Sequence, residues 1–261
     1  MTPNRIRAAY LGVALLALAM PSRTLAEDGI YVGVAVVGAQ YGATYDKTVD
    51  NTLANNASML FAGQRLNSND STNGITYEAG VVFGLRGSRG ALFYGIEVDW
   101  TTHQGDVSGH LDGVGTTPLR NQVGENWPED WELAKDQSYG LTARIGTGMP
   151  FAGATGYVLA GVRRVAADFT RSYTGCLRPG EICGPTQFQT ASESFDEDFN
   201  AFVLGVGMEQ PLASVLLRSE IRYVDHGSAS QLVLFDDLGV SVSTSLEASE
   251  VGLGVSVLWT F

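Results

Sequence analysis

The feature of this chain that most restricts its fold is the alternation of apolar residues with glycine, small or charged residues. From Val251 to Phe261 every second residue is apolar, and Gly252, Gly254 and Ser256 stand between them. A period of two is typical of β-strands with one apolar face. Similar runs recur along the chain and predict eight strands, at about 29–40, 74–86, 91–103, 136–148, 154–168, 199–210, 214–225 and 247–261.

The connections between these strands alternate in length. Those at about 87–90, 149–153 and 211–213 are tight turns with glycine or proline, whereas the other four run for about 20 to 33 residues, at about 41–73, 104–135, 169–198 and 226–246. Outer-membrane barrels have short turns at one end and long loops at the other. We therefore predict an all-β fold, an eight-stranded antiparallel up-and-down transmembrane β-barrel with short periplasmic turns and long extracellular loops. A soluble sandwich or lipocalin-like barrel is the alternative.

Composition excludes several other classes of protein. The net charge of −12 and the isoelectric point near 4.6 argue against nucleic-acid binding, which needs a basic surface. No stretch reaches the roughly 18 apolar residues that a membrane-spanning helix requires. The mean hydropathy of +0.04 is the average of an apolar face and a polar or glycine-rich face on the same strands.

The first 26 residues have the pattern of a secretory signal peptide. Arg5 and Arg7 precede an apolar run from Ala8 to Met20, and Thr24-Leu25-Ala26 offers a small-residue cleavage site. Cleavage after Ala26 removes three arginines and no acid, which leaves residues 27–261 as the barrel domain with a net charge of −15. A short buried helix is the alternative interpretation. Export to the cell outer membrane is the predicted localisation, where disulfides are permitted.

Charged residues on the non-apolar faces of the strands predict a network inside the barrel. The interior of an eight-stranded barrel is just wide enough for side chains to fill it. Charges in such a space must be paired. A paired, closed interior is the favoured interpretation, and a narrow porin-like channel for small solutes is the alternative. The predicted network comprises Glu78, Glu97, Arg144, Arg218, Glu220, Arg222 and Glu250.

The two cysteines lie close together in the third long connection. Cys176 and Cys183 are an even pair in an exported chain, which predicts a disulfide that shapes the loop. Zinc binding would need further ligands, and no histidine is near. The acidic, aromatic segments 125–132 and 195–199 offer carboxylates for a divalent cation, but they lack a calcium-loop spacing, so solvated loops are favoured. We predict no metal and no cofactor.

His226 and Ser228 raise the alternative of an enzyme. Lipid A deacylases, which are also eight-stranded barrels, use a serine, a histidine and an acid, and Glu220 or Asp225 could orient His226 here. Two residues in the right order are a weak signal. The favoured interpretation of the same stretch is a strand end of the pattern Tyr-x-Asp-x-Gly at residues 223–227, so we predict no catalytic residues.

Two parts of the chain resemble known outer-membrane proteins. The end of the chain is similar to the C-terminal signal that the barrel assembly machinery reads, with Val257, Trp259 and Phe261 at the matching positions. The stretches 202–209 and 218–225 resemble the small surface-antigen or "porin family" barrels of Alphaproteobacteria, which are eight-stranded and akin to the OmpA transmembrane domain. This chain departs from the typical member in its longer loops and its cysteine pair.

The resemblance implies a role rather than a chemistry. It implies an integral outer-membrane barrel with a structural or surface-interaction role, which presents acidic extracellular loops. An outer membrane in turn implies a Gram-negative source. The implied partners are outer-membrane lipid and lipopolysaccharide, the barrel assembly machinery, and a surface ligand or host molecule that contacts the loops. A lipid A-modifying hydrolase stays the second alternative, after the narrow channel.

Overall fold

The computed structural model describes residues 28–55, 59–122, 124–150, 153–177 and 183–261, and the predicted signal peptide lies outside them. Nearly all of the described chain is β-strand, with 3-10 turns at Pro185–Gln187 and Asp236–Leu238. No helix among the described residues is long and apolar enough to cross a membrane. The strands are β1 (Gly29–Asp50), β2 (Arg65–Arg89), β3 (Leu92–Gln104), β4 (Asp106–Leu111), β5 (Glu129–Gly148), β6 (Thr155–Gly175), β7 (Gln189–Leu212), β8 (Val215–Phe235) and β9 (Val240–Thr260).

The strands pair antiparallel in a ring. Consecutive strands are neighbours in the sheet, β9 pairs with β1 from Thr260 to Ser241, and β3 pairs with β5. β3 and β4 act as one strand that is interrupted at Gly105, whose φ of +97° lies in the left-handed region. The nine segments therefore make eight barrel strands, and the predicted eight-stranded antiparallel up-and-down barrel is confirmed.

The strands are longer than predicted. Apart from β3 and β4 they run for 20 to 25 residues, so most of the predicted long connections are strand. The segment 195–199, predicted as a loop, lies within β7, and 129–132 lies within β5. The connections that remain on that side are 51–64, 112–128, 176–188 and 236–239. We call this side the long-loop end and the opposite side, with the connections 90–91, 149–154 and 213–214, the short-turn end.

The prediction of strand length was wrong because the alternation reverses its phase along most strands. Near the short-turn end of β1, apolar Val36 faces outward and small Ala35 faces inward. Farther along, Tyr41 and Tyr45 are fully buried inside, whereas the outward residue Thr44 is polar. A search for one continuous apolar face therefore stops at the reversal, although the backbone continues to pair.

An outward belt of apolar side chains surrounds the half of the barrel next to the short-turn end. On β3 it covers nine residues, from Leu92 to Trp100. Aromatic side chains stand at its border toward the long-loop end, and beyond them most outward residues are polar. The aromatic residues at that border are Tyr77, Trp100, Tyr139, Phe202 and Tyr223.

Close strand packing makes some glycines irreplaceable. A Cβ on Gly80 would lie 2.2 Å from the Trp100 carbonyl oxygen of the neighbouring strand, whereas a Cβ on Gly148 would meet nothing within 4 Å. We expect Gly80→Ala to lower the free energy of unfolding by about 1–3 kcal/mol, because the overpacked wall must shift. Urea unfolding in detergent micelles measures the change, with Gly148→Ala as the matched control. Equal stability of the two variants would contradict the packing.

Candidate functional site

The barrel interior next to the short-turn end is a layer of paired charges built around Glu97. Its carboxylate accepts hydrogen bonds from Tyr31 (2.8 Å), Arg144 (2.7 Å) and Arg218 (2.5 Å). Arg218, of which only 1% is exposed, also donates to Glu209 at 2.8 and 3.0 Å. Its five donors, in a rigid fork, suit a position between two carboxylates.

Glu220 extends this layer across the barrel. It accepts hydrogen bonds from Arg144 (3.1 Å) and Tyr157 (2.8 Å), and Arg222 lies 2.7 Å from its other oxygen. Arg86 pairs with Glu209 at 3.2 Å. Strands on opposite sides of the ring are thus joined through the lumen.

A second charged layer lies next to the first, toward the long-loop end. Glu78 pairs with Lys135 (3.2 Å) and Arg163 (3.1 Å), and Arg163 also reaches Asp99 at 2.8 Å. Lys135 forms a further ion pair with Glu250 and lies 4.7 Å from the centre of the Tyr41 ring. Two histidines complete the layer, His103 at 3.3 Å from Glu78 and His226 at 3.8 Å from Glu250.

Apolar side chains fill the next part of the lumen. Leu133 and Val165 are fully buried there with Phe199. Tyr45 and Phe169 pack against each other above them, with ring centres 5.1 Å apart. Trp131 lies 5.9 Å from Tyr45 by ring centres, and Phe195 lies 6.3 Å from Phe169. This layer separates the charged layers from the long-loop end.

A cavity of about 630 Å³ opens at the long-loop end, and we call it the mouth cavity. Its apolar walls are Val49, Trp127, Phe195, Val233, Phe235 and Val242, and its polar groups are Lys47, Glu125, Glu129, Arg171, Tyr173, Glu193 and Ser194.

Most charges of the mouth cavity are paired with one another, and Glu125 accepts a hydrogen bond from the Trp127 indole at 2.7 Å. Lys47 forms an ion pair with Glu129, and burial lowers the pKa of the Lys47 ammonium although Glu129 opposes the shift. Burial alone would raise the pKa of Glu193, but hydrogen bonds from Arg171 (2.6 Å) and Tyr173 (3.1 Å) outweigh it and hold that pKa below its ordinary value. The cavity therefore offers an apolar wall and a fixed set of charges.

The residues of the enzyme alternative do not come together. His226 is buried inside the barrel beside Tyr41 and Phe199, with ring centres 5.5 and 6.0 Å away. Ser228 is exposed and pairs across the sheet with the outward residue Glu247. Glu220 lies in the charged layer around Glu97, next to the short-turn end, where it pairs with Arg144 and Arg222. Among the described residues, no group of three or more histidines, cysteines or acids is arranged to hold a metal ion.

The seven residues of the predicted charge network all lie inside the barrel, in two groups. Glu97, Arg144, Arg218, Glu220 and Arg222 belong to the layer near the short-turn end, and Glu78 and Glu250 belong to the second layer.

Sequence reasoning missed several of their partners. Arg86, Asp99 and Glu209 stood on the same strand faces as the predicted charges, which was a usable signal. Arg163 lay in the predicted strand 154–168, where apolar or small residues on both faces leave the inward face ambiguous. Lys135 preceded the predicted strand, and an irregularity between Lys135 and Gln137 shifts the pairing there, so simple alternation assigns it to the wrong face.

The remaining predicted residues lie at the two ends of the barrel. Cys176 and Cys183 form a disulfide next to β6 at the long-loop end. Val257 and Trp259 lie outward on β9 opposite Val34 and Val32 of β1. The Phe261 amide donates to the Ile30 carbonyl at 2.9 Å and ties the end of the chain to β1.

The fold and the interior define a closed antiparallel β-barrel whose lumen is filled by side chains.

No family model matches the chain, and no curated protein matches it. Among solved structures, the chain is similar to the outer membrane protease OmpT from Escherichia coli. The two are 8% identical, the match covers 92% of this chain and 99% of that chain, and the TM-score is 0.37. Neisserial surface protein A is 11% identical over 86% and 97% of the two chains, with a TM-score of 0.34. The attachment invasion locus protein Ail of Yersinia pestis, in complex with the heparin analogue sucrose octasulfate, is 14% identical over 84% and 98%, with a TM-score of 0.24.

Removing one buried charge tests the interior network. We expect Glu97→Gln to lower the free energy of unfolding by about 3–5 kcal/mol, because the buried guanidinium groups of Arg144 and Arg218 each lose one of their two carboxylate partners. Asp198→Asn is the matched control, since it changes the same chemical group in an exposed ion pair with Arg164 and should change stability little. Urea unfolding in micelles measures both variants. A Glu97→Gln variant as stable as the control would show that the network does not hold the barrel together.

Proposed function

We propose that this protein is an integral outer-membrane barrel that does not conduct solutes and that presents an acidic surface and the mouth cavity to the cell exterior. The observation that carries the proposal is the filled lumen, in which two charged layers and an aromatic layer stand between the short-turn end and the mouth cavity. A barrel closed in this way has its accessible binding features at the long-loop end.

The outward belt supports a position in a membrane. Side chains such as Leu141, Val158 and Val206 are about half exposed although they are apolar. A tilted transmembrane strand crosses the hydrocarbon in about nine to eleven residues, and the belt covers nine residues of β3. Aromatic residues at the belt border suit a membrane interface, where such girdles occur.

The orientation and partners belong to the same proposal. The short-turn end faces the periplasm and the long-loop end faces outward, as in outer-membrane barrels generally. Outer-membrane lipid and lipopolysaccharide surround the belt, and the barrel assembly machinery recognises the end of the chain at Val257, Trp259 and Phe261. The role is structural and interfacial. No observation favours the lipid A hydrolase, because His226 and Ser228 lie on opposite faces of the wall.

The membrane position can be tested with two arginine substitutions on the same strand. Val206 lies outward within the belt of β7, and Asn200 lies outward just beyond it. We expect Val206→Arg to lower the free energy of unfolding in lipid vesicles by about 2–4 kcal/mol, because the arginine enters hydrocarbon. Asn200→Arg should leave it nearly unchanged. Equal effects, or a protein that stays soluble without detergent or lipid, would refute the membrane assignment.

The closed lumen can be tested by electrical recording. We expect the purified protein to give no reproducible single-channel steps in planar bilayers, because the charged and aromatic layers leave no continuous water path. A porin-like channel would instead give steps whose size or ion selectivity changes in Arg144→Ala or Arg222→Ala variants. Such steps in the unmodified protein would overturn the proposal.

A further inference from the structure

Strands β7 and β8 separate toward the long-loop end. They are paired from Leu212 and Val215 up to Phe202 and Asp225, where their pairing stops. Beyond that point β7 continues to pair with β6 as far as Gln189, and β8 with β9 as far as Phe235. Residues 189–201 and 227–235, all within the described part of the chain, are therefore two facing strand edges, which we call the β7/β8 seam.

The separation has a local cause in β8. The register of β8 shifts between Asp225 and Gly227, and Gly227 has a φ of +69°. The Asp225 side chain accepts a hydrogen bond from the Gly227 amide at 2.9 Å, which holds this irregularity in place. Such bulges re-aim a strand and end its pairing. The seam is thus encoded by three consecutive residues.

The opposite side of the barrel has a comparable break, and side chains close it. β2 and β4 are not paired by a ladder, but Trp131 donates to Asp70 at 2.9 Å, and Asn126 donates to Ser68 at 3.0 Å. At the β7/β8 seam, Gln231 donates to Glu197 at 2.8 Å. Within the described edges this is the one side-chain hydrogen bond across the seam, and no ladder between β7 and β8 uses the backbone N–H and C=O groups that face it.

The mouth cavity lies directly behind the seam. Phe195 comes from the β7 edge, and Val233 and Phe235 come from the β8 edge. Because side chains of an extended peptide alternate, every second one would point into the cavity, next to these apolar residues. Strand addition of this kind takes affinity from the backbone and specificity from such pockets.

The charge of the seam is complementary to a cationic partner. Residues 189–201 contain four acids and no base, and residues 227–235 contain no charged residue. Glu193 and Asp198 are paired with arginines of β6. Asp196 and Glu197 therefore supply the excess negative charge of the seam. Asp196 lies directly opposite Asp168 of β6. Burial raises the pKa of Asp168, and repulsion from Asp196 and Asp136 raises it further. A positive side chain placed there would relieve this repulsion.

We propose that the β7/β8 seam binds an extended cationic polypeptide, which adds as a strand along the β7 edge and places alternate apolar side chains in the mouth cavity. This inference rests on the proposed outward exposure of the long-loop end. The contact between Gln231 and Glu197 gives way when the strand enters.

A ten-residue peptide of alternating lysine and valine is a suitable probe, with fluorescence anisotropy as the readout and the full chain in zwitterionic micelles at physiological ionic strength. A second peptide of the same sequence carries an N-methyl group on every backbone amide, so its charge is unchanged but neither of its edges can donate hydrogen bonds to a strand ladder. We expect the unmethylated peptide to bind at least tenfold more tightly. Equal affinity of the two peptides, or no binding by either, would overturn the proposal.

Two substitutions in β8 locate the site. Val233→Arg places a positive charge on the cavity wall, and Leu232→Arg makes the same change on the neighbouring, more exposed residue outside the cavity. We expect Val233→Arg to weaken peptide binding at least tenfold and Leu232→Arg to change it less than twofold. Equal weakening would show that the peptide responds to net charge alone and would refute the site. One outcome is an unmodified protein that inserts into vesicles and conducts no ions, as the proposed function requires, and yet binds neither peptide. That result would refute this inference and leave the proposed function standing.

Discussion

The need to neutralise charge inside a narrow barrel governs the rest of this structure. An ion moved from water into such an interior loses several kcal/mol of solvation, which only well-formed ion pairs and hydrogen bonds offset. Here six carboxylates and six basic side chains meet that need across the lumen: Glu78, Glu97, Asp99, Glu209, Glu220 and Glu250 with Arg86, Arg144, Arg163, Arg218, Arg222 and Lys135. Since these pairs join strands far apart in sequence, they also fix which strands face each other.

The two halves of most strands differ in which face is apolar. Next to the short-turn end the apolar residues point outward and the charges inward, which is the arrangement expected of a wall in contact with hydrocarbon. Toward the long-loop end, Tyr45, Leu133 and Phe169 point inward, and the outward face is polar, as for a wall in contact with water. The strand is continuous through this reversal, so its two halves suit different surroundings, hydrocarbon at one end and water at the other.

The reversal sets the limit of what the sequence could predict. Strand number, antiparallel order and the position of the tight turns followed from the alternation, and the structure confirms that barrel. The length of the strands did not follow, because on β1 the apolar residues change face near Tyr41 and the pattern of one apolar face ends there. Lys135 was missed for a related reason, since an irregularity next to it breaks the period of two. The β7/β8 seam could not be predicted from the sequence pattern. It depends on where two long strands stop pairing with each other, and alternation does not show this.

The closed interior is tested most directly by the exchange of arginine side-chain protons with water, measured by NMR on the folded protein in micelles. The Nε protons of Arg218 and Arg144 lie in the buried layer, whereas Arg164 is exposed and serves as an internal reference. We predict that the two buried Nε protons exchange at least a hundredfold more slowly than that of Arg164. Exchange of Arg218 and Arg144 at the rate of Arg164 would show a water-filled lumen and contradict the account.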